Sequence, residues 1–137
     1  MAITQTMTTS AKLALLKGDL DFDSVTLKIA LYTSAADLGA DTTAYTATGE
    51  ASGTGYDATG KAVTKGTPTS SGTTAYVDLT DVGWASSSIT ARGALLYVDG
   101  GIAIAVLNFG SDKTSSNSTF TVTFPAASAT TAIIRIE

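Results

Sequence analysis

Cysteine and histidine are both missing from this chain of 137 residues, and each absence removes a class of chemistry. Without cysteine there can be no disulfide framework, no thiol nucleophile and no thiolate-bound metal. Without histidine the usual general base near neutral pH is gone, together with the commonest metal ligand. Charge is scarce as well. Eight basic residues against twelve acidic ones leave a net charge of -4, and no cluster of Lys and Arg occurs. Nucleic acid is therefore not an expected partner, because holding a phosphate backbone takes concentrated positive charge. Long hydrophobic runs are lacking too. The longest, Ile102 to Leu107, is far too short to cross a bilayer. The opening Met1-Ala2-Ile3-Thr4-Gln5-Thr6-Met7 has no basic stretch followed by an apolar one, so it does not read as a signal peptide. The expectation is a soluble chain with no membrane partner.

What remains is a hydrophobic content of 44%, much of it alanine, with the larger apolar residues gathered into short islands. Thr, Ser, Ala and Gly fill the stretches between them. Small and β-branched residues weaken helix propensity and suit strands joined by tight turns. The length is that of one domain with one hydrophobic core. With no covalent or metal staple available, stability must come from packing, aided by subunit contacts.

Residues 1–9 show neither helical nor strand periodicity and read as an N-terminal arm, frayed or lying on a neighbour. Residues 10–137 read as a single domain. Thr9 or Ser10 can cap a short helix over Ala11–Lys17, with Gly18 as a left-handed stop. Val25 to Tyr32 alternates cleanly, with Val25, Leu27, Ile29 and Leu31 on one face, and predicts a half-buried strand. From Thr33 to about Gly60 the chain is rich in Ala, Thr and Gly, which predicts a long surface-displayed loop. Ala62-Val63-Thr64 and Thr74 to Leu79 predict a hairpin, with Pro68 marking an edge. Asp99-Gly100-Gly101 joins two apolar runs, Ile89–Val98 and Ile102–Phe109, into a central hairpin. A polar loop at 110–118, a strand from Thr119 to Phe124 and a last strand at 132–136 complete the pattern. About seven short strands argue for an all-β protein: an antiparallel β-sandwich or jelly-roll-like domain with one short N-terminal helix.

Three patterns suggest chemistry and lose it on inspection. Gly55 to Ala62 matches most of a phosphate-binding loop, but Ala62 stands where a Ser or Thr would hold magnesium, and no strand-then-helix context surrounds it. Asp19-Leu20-Asp21-Phe22-Asp23 starts like a calcium loop, yet Ser24 and Ala30 occupy the positions that need Gly and a bidentate Glu. Asn117-Ser118-Thr119 is a glycosylation sequon by pattern alone. The many Ser and Thr have no plausible activating base beside them. The sequence nominates no catalytic residue, no cofactor and no metal ligand, and a non-enzymatic role is expected. Trp84 sits among small polar residues, either as a plug at one end of the sandwich or as an anchor in a protein contact, where Trp is enriched. Tyr45 and Tyr56, in the long loop, carry the same two readings.

Several segments share a further likeness. They are Met1 to Gln5, Leu27 to Ala35, Tyr45 to Glu50, Ser52 to Tyr56, Ile89 to Leu95, Phe109 to Thr114 and Ala132 to Ile136. In this order they resemble a family of small virion structural proteins of tailed bacteriophages. The resemblance spans nearly the whole chain, and it carries no defined functional residues. It implies a capsid cement, or decoration, protein on the outside of the head, assembled in the host cytoplasm, with a tail or fibre component bearing a receptor- or glycan-binding role as the alternative. The major capsid protein would be the partner, and the protein itself a dimer or trimer on the shell. An acidic, Thr- and Ser-rich exterior fits such a role, since it limits self-aggregation at high copy number. The residues expected to touch a partner are Ile3, Thr4 and Gln5 in the arm, with Tyr45, Tyr56 and Trp84.

Overall fold

The computed structural model describes residues 2–137, which form an all-β, sandwich-like domain with one short helix. Its centre is the hairpin of β7 (Thr90–Val98) and β8 (Ala103–Thr114), turned at Asp99-Gly100-Gly101. The strand β2 (Leu27–Tyr32) pairs along β7, from Leu27 opposite Val98 to Tyr32 opposite Gly93. Adding β1 (Thr6–Met7) and β3 (Lys61–Val63) at the edges gives the order β1-β8-β7-β2-β3. All of these pairings are antiparallel. Both edge strands are very short, which leaves little free ladder for unwanted pairing.

Alternation places two apolar sets on the two faces of this sheet. Leu27, Ile29, Leu31, Ala94, Leu96 and Ile104 belong to one buried cluster. Ala30, Tyr32, Leu95, Tyr97, Ala103 and Val106 belong to another. The first is covered by a two-stranded ribbon, β6 (Val82–Ser87) with β9 (Ser118–Val122), and by a small sheet in the order β10-β5-β4. The small sheet is built from β4 (Thr69–Ser71), β5 (Thr74–Val77) and β10 (Ile134–Ile136). Pro68 precedes β4, which is an edge strand as expected. Trp84, Phe120, Val122, Phe124 and Ile134 fill the space between the layers.

The second face departs from expectation. Strand β2 is buried on both sides, not half-exposed, because the segment from Thr33 to Gly60 lies across it. That segment is a packed cover and not a displayed loop: Ala36, Leu38 and Ala51 are buried in it. The close crossing explains its glycines. Gly60 has φ +77, and a Cβ there would collide with the Ile29 carbonyl oxygen; only glycine accepts both conditions.

The N-terminal segment is likewise not a free arm. Ile3 is buried and forms a parallel bridge with Leu38, while Thr6 and Met7 pair with Val106 and Ala105. Gly93 makes room for it, since a Cβ at that position would strike the Leu107 carbonyl and the Ile3 side chain. Helix α1 (Thr9–Lys17) is capped by Thr8, one residue earlier than the sequence suggested. The Thr8 hydroxyl accepts from the Ala11 amide at 3.1 Å and donates to the Ala103 carbonyl at 2.7 Å, so the cap is also a tie to β8. Gly18, in the left-handed region, closes the helix as expected. Further along, the polar stretch after Phe109 continues β8 to Thr114 instead of opening into a loop, and Thr90 and Ala91 pair there with Thr114 and Lys113.

Candidate functional site

Two places on the molecule stand out: a polar knot under the cover segment, and an apolar side around α1. The knot centres on Glu50. Its carboxylate accepts from the Tyr45 hydroxyl at 2.5 Å, the Tyr56 hydroxyl at 2.7 Å and the Thr59 amide at 2.8 Å. The Tyr56 oxygen in turn accepts from the Leu31 amide at 2.9 Å. Thr59 is held from other directions as well: Lys28 Nζ donates to its hydroxyl at 2.7 Å, and Tyr97 donates to its carbonyl at 2.6 Å. These contacts hold Thr59 at φ +75, a conformation that β-branched residues rarely adopt. The Tyr32 hydroxyl donates to the Thr46 carbonyl at 2.7 Å.

This arrangement explains the ionisation of the tyrosines. The hydrogen bond to Glu50, with burial behind it, pushes Tyr45 up to about 12. Burial, reinforced by Glu50, drives Tyr56 well above the ordinary phenol value. Tyr32 and Tyr97 are also raised, chiefly by burial. A phenol kept neutral and donating to a carboxylate is a fastener, not a proton carrier for chemistry near neutral pH. Glu50 was not singled out in the sequence. Its one visible signal is its position between Tyr45 and Tyr56 in a stretch otherwise poor in charge.

The partner-contact residues suggested by the sequence divide unevenly. Tyr45 and Tyr56 come together on Glu50, both half-buried, and Tyr45 stacks on Tyr97 with ring centroids 5.4 Å apart. Trp84 is 1% exposed, within β6, against Phe120 and Tyr56. It is a plug of the core with no surface to offer a partner, and its indole N–H has no hydrogen-bond acceptor. Ile3 is buried in its own domain. Gln5 spends its side-chain oxygen on the Asn108 amide at 3.1 Å. Thr4 is exposed, with its backbone amide bound to Leu38. The arm completes this domain's own sheet because β8 offers its backbone an unpaired edge.

The suggestive motifs are absorbed by the fold as well. Asp21 Oδ1 accepts from the Asp23 amide and Oδ2 from the Ser24 hydroxyl. These bonds hold its carboxyl below the usual range and cap a turn. A strand, β3, follows Gly60 where a phosphate-binding loop would need a helix, and Lys61 Nζ donates to the Gly83 carbonyl.

The apolar side was not anticipated. In α1, Ala11, Ala14 and Leu15 turn inward at the spacing of one helical face. Leu13 and Leu16 are thereby left outside, 56% and 88% exposed. Among the described residues only one further large hydrophobic is exposed, Ile136 in β10. It lines a groove of about 200 Å³ together with Leu15, Leu20, Phe22, Tyr76 and Ile134. A second groove, of about 440 Å³, runs beside Leu13, Lys17, Leu20, Val25, Val98 and Ile102. Exposed apolar residues scattered singly are ordinary, whereas their gathering on one side marks an interaction surface. The available signal was the run Leu13-Ala14-Leu15-Leu16, which holds more leucine than one buried helical face can use.

Among the described residues no helix is long and apolar enough to cross a membrane. In comparison with known proteins, the chain matches no family model, no curated protein and no solved structure.

Proposed function

We propose that this protein is a structural binding module of a tailed-bacteriophage virion, a capsid decoration protein. It docks on the outer surface of the head and stabilises contacts between major capsid subunits. The observation that carries the binding role is the exposure of Leu13 and Leu16 on the outer face of α1, with Leu13 and the exposed Ile136 lining two apolar grooves that share Leu20. Burial of such a surface against a partner is the source of affinity. The virion assignment rests on the sequence resemblance. A rigid sandwich with its cover segment fastened by Glu50 suits a part that must hold its shape while attached.

The test is addition of the purified protein to heads of its phage that lack it. Binding at micromolar concentration, with heads made more resistant to heat or to chelation, is the expected result. No binding removes the decoration role. A tail- or fibre-borne, glycan-binding role is the second reading. It is favoured by a shallow hollow of about 320 Å³ where Tyr45 and Tyr97 adjoin Lys28 and Asp99, since sugars are held by aromatic faces beside polar groups. Copy number separates the two: hundreds per particle for decoration, about a dozen for a tail.

A further inference from the structure

The hollow beside the Asp99-Gly100-Gly101 turn has charges of both signs on its lining. It measures about 320 Å³; Lys28, Tyr45, Thr59, Tyr97 and Asp99 bring side chains to it, while Gly100 and Gly101 bring none. Its walls belong to three separate stretches: the start of β2, the cover segment and the β7–β8 turn. Backbone bonds tie these together, for the Asp99 amide donates to the Thr26 carbonyl and the Ala103 amide to the Thr43 carbonyl, each at 2.9 Å. Thr59, at φ +75, sits in the same hollow. Strain of that kind persists only where the surroundings over-determine it, and it gathers at ligand sites. We infer that this hollow binds a neutral pyranose sugar. Tyr45 is the platform for the C–H face of the ring, Asp99 accepts from adjacent ring hydroxyls, and Lys28 with the Thr59 hydroxyl completes the set. This deepens the second reading above, a glycan-binding role, and rests on it.

The polar groups here have bonding capacity left over. The ion pairs among the described residues are Lys17–Asp19, Arg92–Asp112 and Arg135–Glu137, so Lys28 and Asp99 belong to none of them. An ammonium has three donors, and that of Lys28 uses one on the Thr59 hydroxyl. The Thr59 oxygen accepts there and keeps its own proton to give. Asp99 is exposed and tied to the fold by its backbone amide, which leaves two carboxylate oxygens to accept. Donors and acceptors thus lie side by side, and a sugar hydroxyl is both. The paired signs select against net charge on the ligand. An anion drawn to Lys28 meets Asp99 and a chain of net charge -4, and a cation drawn to Asp99 meets Lys28. The volume is at the low end for ligand pockets, which suits one or two rings. Tyr45 is stacked on Tyr97 with centroids 5.4 Å apart, and its hydroxyl is fixed on Glu50. The platform is therefore set before the ligand arrives, and little has to be ordered on binding.

The test is an amide NMR titration of the full chain with methyl glucoside, methyl mannoside, methyl galactoside and N-acetylglucosamine, each to about 100 mM. At least one of these sugars should shift the amides of Lys28, Tyr45, Thr59 and residues 97–101 while leaving those of α1 in place, with a Kd on the order of 1 mM. Glucuronate and glucosamine, an anion and a cation built on the same ring, should bind about fivefold more weakly than the neutral sugar. Asp99→Ala should weaken binding about tenfold with the melting temperature unchanged, because that side chain makes no bond in the fold. Tyr45→Phe keeps the platform and should keep the binding, whereas Tyr45→Ala should lose it. Since Tyr45→Ala also loosens the Glu50 knot, Asp99→Asn supplies a separate check: with the negative charge gone, glucuronate should gain on the neutral sugar. No shift at these amides with any of the sugars overturns the proposal, as does sugar binding that is unchanged in Asp99→Ala. A sugar that shifts amides elsewhere on the chain removes this site and leaves the glycan reading standing.

Discussion

One face of the central sheet is covered by strands and the other by irregular chain, and the two covers are held by different forces. Under the strands lie Trp84, Phe120, Val122 and Phe124, large side chains whose burial supplies most of the attraction. The strands that carry them satisfy one another's backbone groups through β6–β9 and β10-β5-β4 pairing. The irregular cover and the N-terminal segment bring only Ala36, Leu38 and Ile3 as buried apolar residues against Tyr32, Leu95, Tyr97 and Val106 of the sheet, a smaller contribution than that of the strands. That cover has no continuous ladder, so its backbone is met one group at a time: by isolated backbone bonds such as Ala51 to Leu31 and Ala103 to Thr43, by Glu50 and Tyr97 at Thr59, and by Tyr32 at Thr46. Where apolar area is smaller and regular pairing is absent, a carboxylate with two phenols adds to the isolated backbone bonds that fasten the segment. Buried polar groups left without partners are costly, so such a knot must be complete.

The contrast can be broken most forcefully on the strand-covered side. Trp84→Ala should cost about 3–5 kcal/mol of stability, read as a lower denaturant midpoint for the whole domain. The irregular side should fail locally and more cheaply. Glu50→Ala strands the Thr59 amide and the two phenols, at about 2 kcal/mol. Its signature is faster amide exchange across residues 44–60 while β7 and β8 keep their protection. A domain that unfolds as a whole with no such local release would show that the two covers are not separable.

Alkaline titration sharpens the comparison further. Tyr45 has its folded value raised from 10.0 to about 12. Raised folded values mean that the neutral phenol is what the fold stabilises, so its contribution is complete below pH ~10 and is lost as pH climbs through about 12. Tyr56 and Tyr32, shifted in the same direction, extend the loss to higher pH. Tyr45→Phe should therefore flatten the fall in stability between pH 10 and 12, an effect smaller than that of Glu50→Ala. Smallest of all, Leu16→Ser should change the unfolding free energy of the monomer by no more than about 0.5 kcal/mol, because Leu16 packs on neither cover.

Strand positions were legible where alternation was clean, as in Leu27–Tyr32 and Phe120–Val122, though the strand stops two residues before Phe124, and where glycine marked a turn, as at Asp99-Gly100-Gly101. The core hairpin, the helix with its Gly18 stop and the edge at Pro68 followed from local chemistry. What misled was a region whose partners are distant. The N-terminal segment has no periodicity of its own because its shape is imposed by β8 and by Leu38. The Gly-rich stretch looked like a mobile loop because glycine spacing reports close approach and free turning alike. Trp84 among small polar neighbours left two readings open, core plug or contact anchor, and its burial against Phe120 and Tyr56 selects the plug. As for the candidate surface, the surplus leucines of α1 were present in the sequence, but deciding which of them face water required knowing where the sheet lies.

Composition and local pattern by themselves determined the all-β class, the short helix, the central hairpin and the absence of any cysteine or histidine chemistry. These depend on residue type and on neighbours within a few positions, which a sequence displays directly. Tertiary structure alone decided that β2 is covered twice, that Glu50 helps to fasten the cover segment, that the first residues belong to the main sheet, and that Leu13, Leu16 and Ile136 are left exposed. Each of these is a contact between segments far apart in the chain. Its free energy comes from burial and hydrogen bonding that exist only once the layers have met.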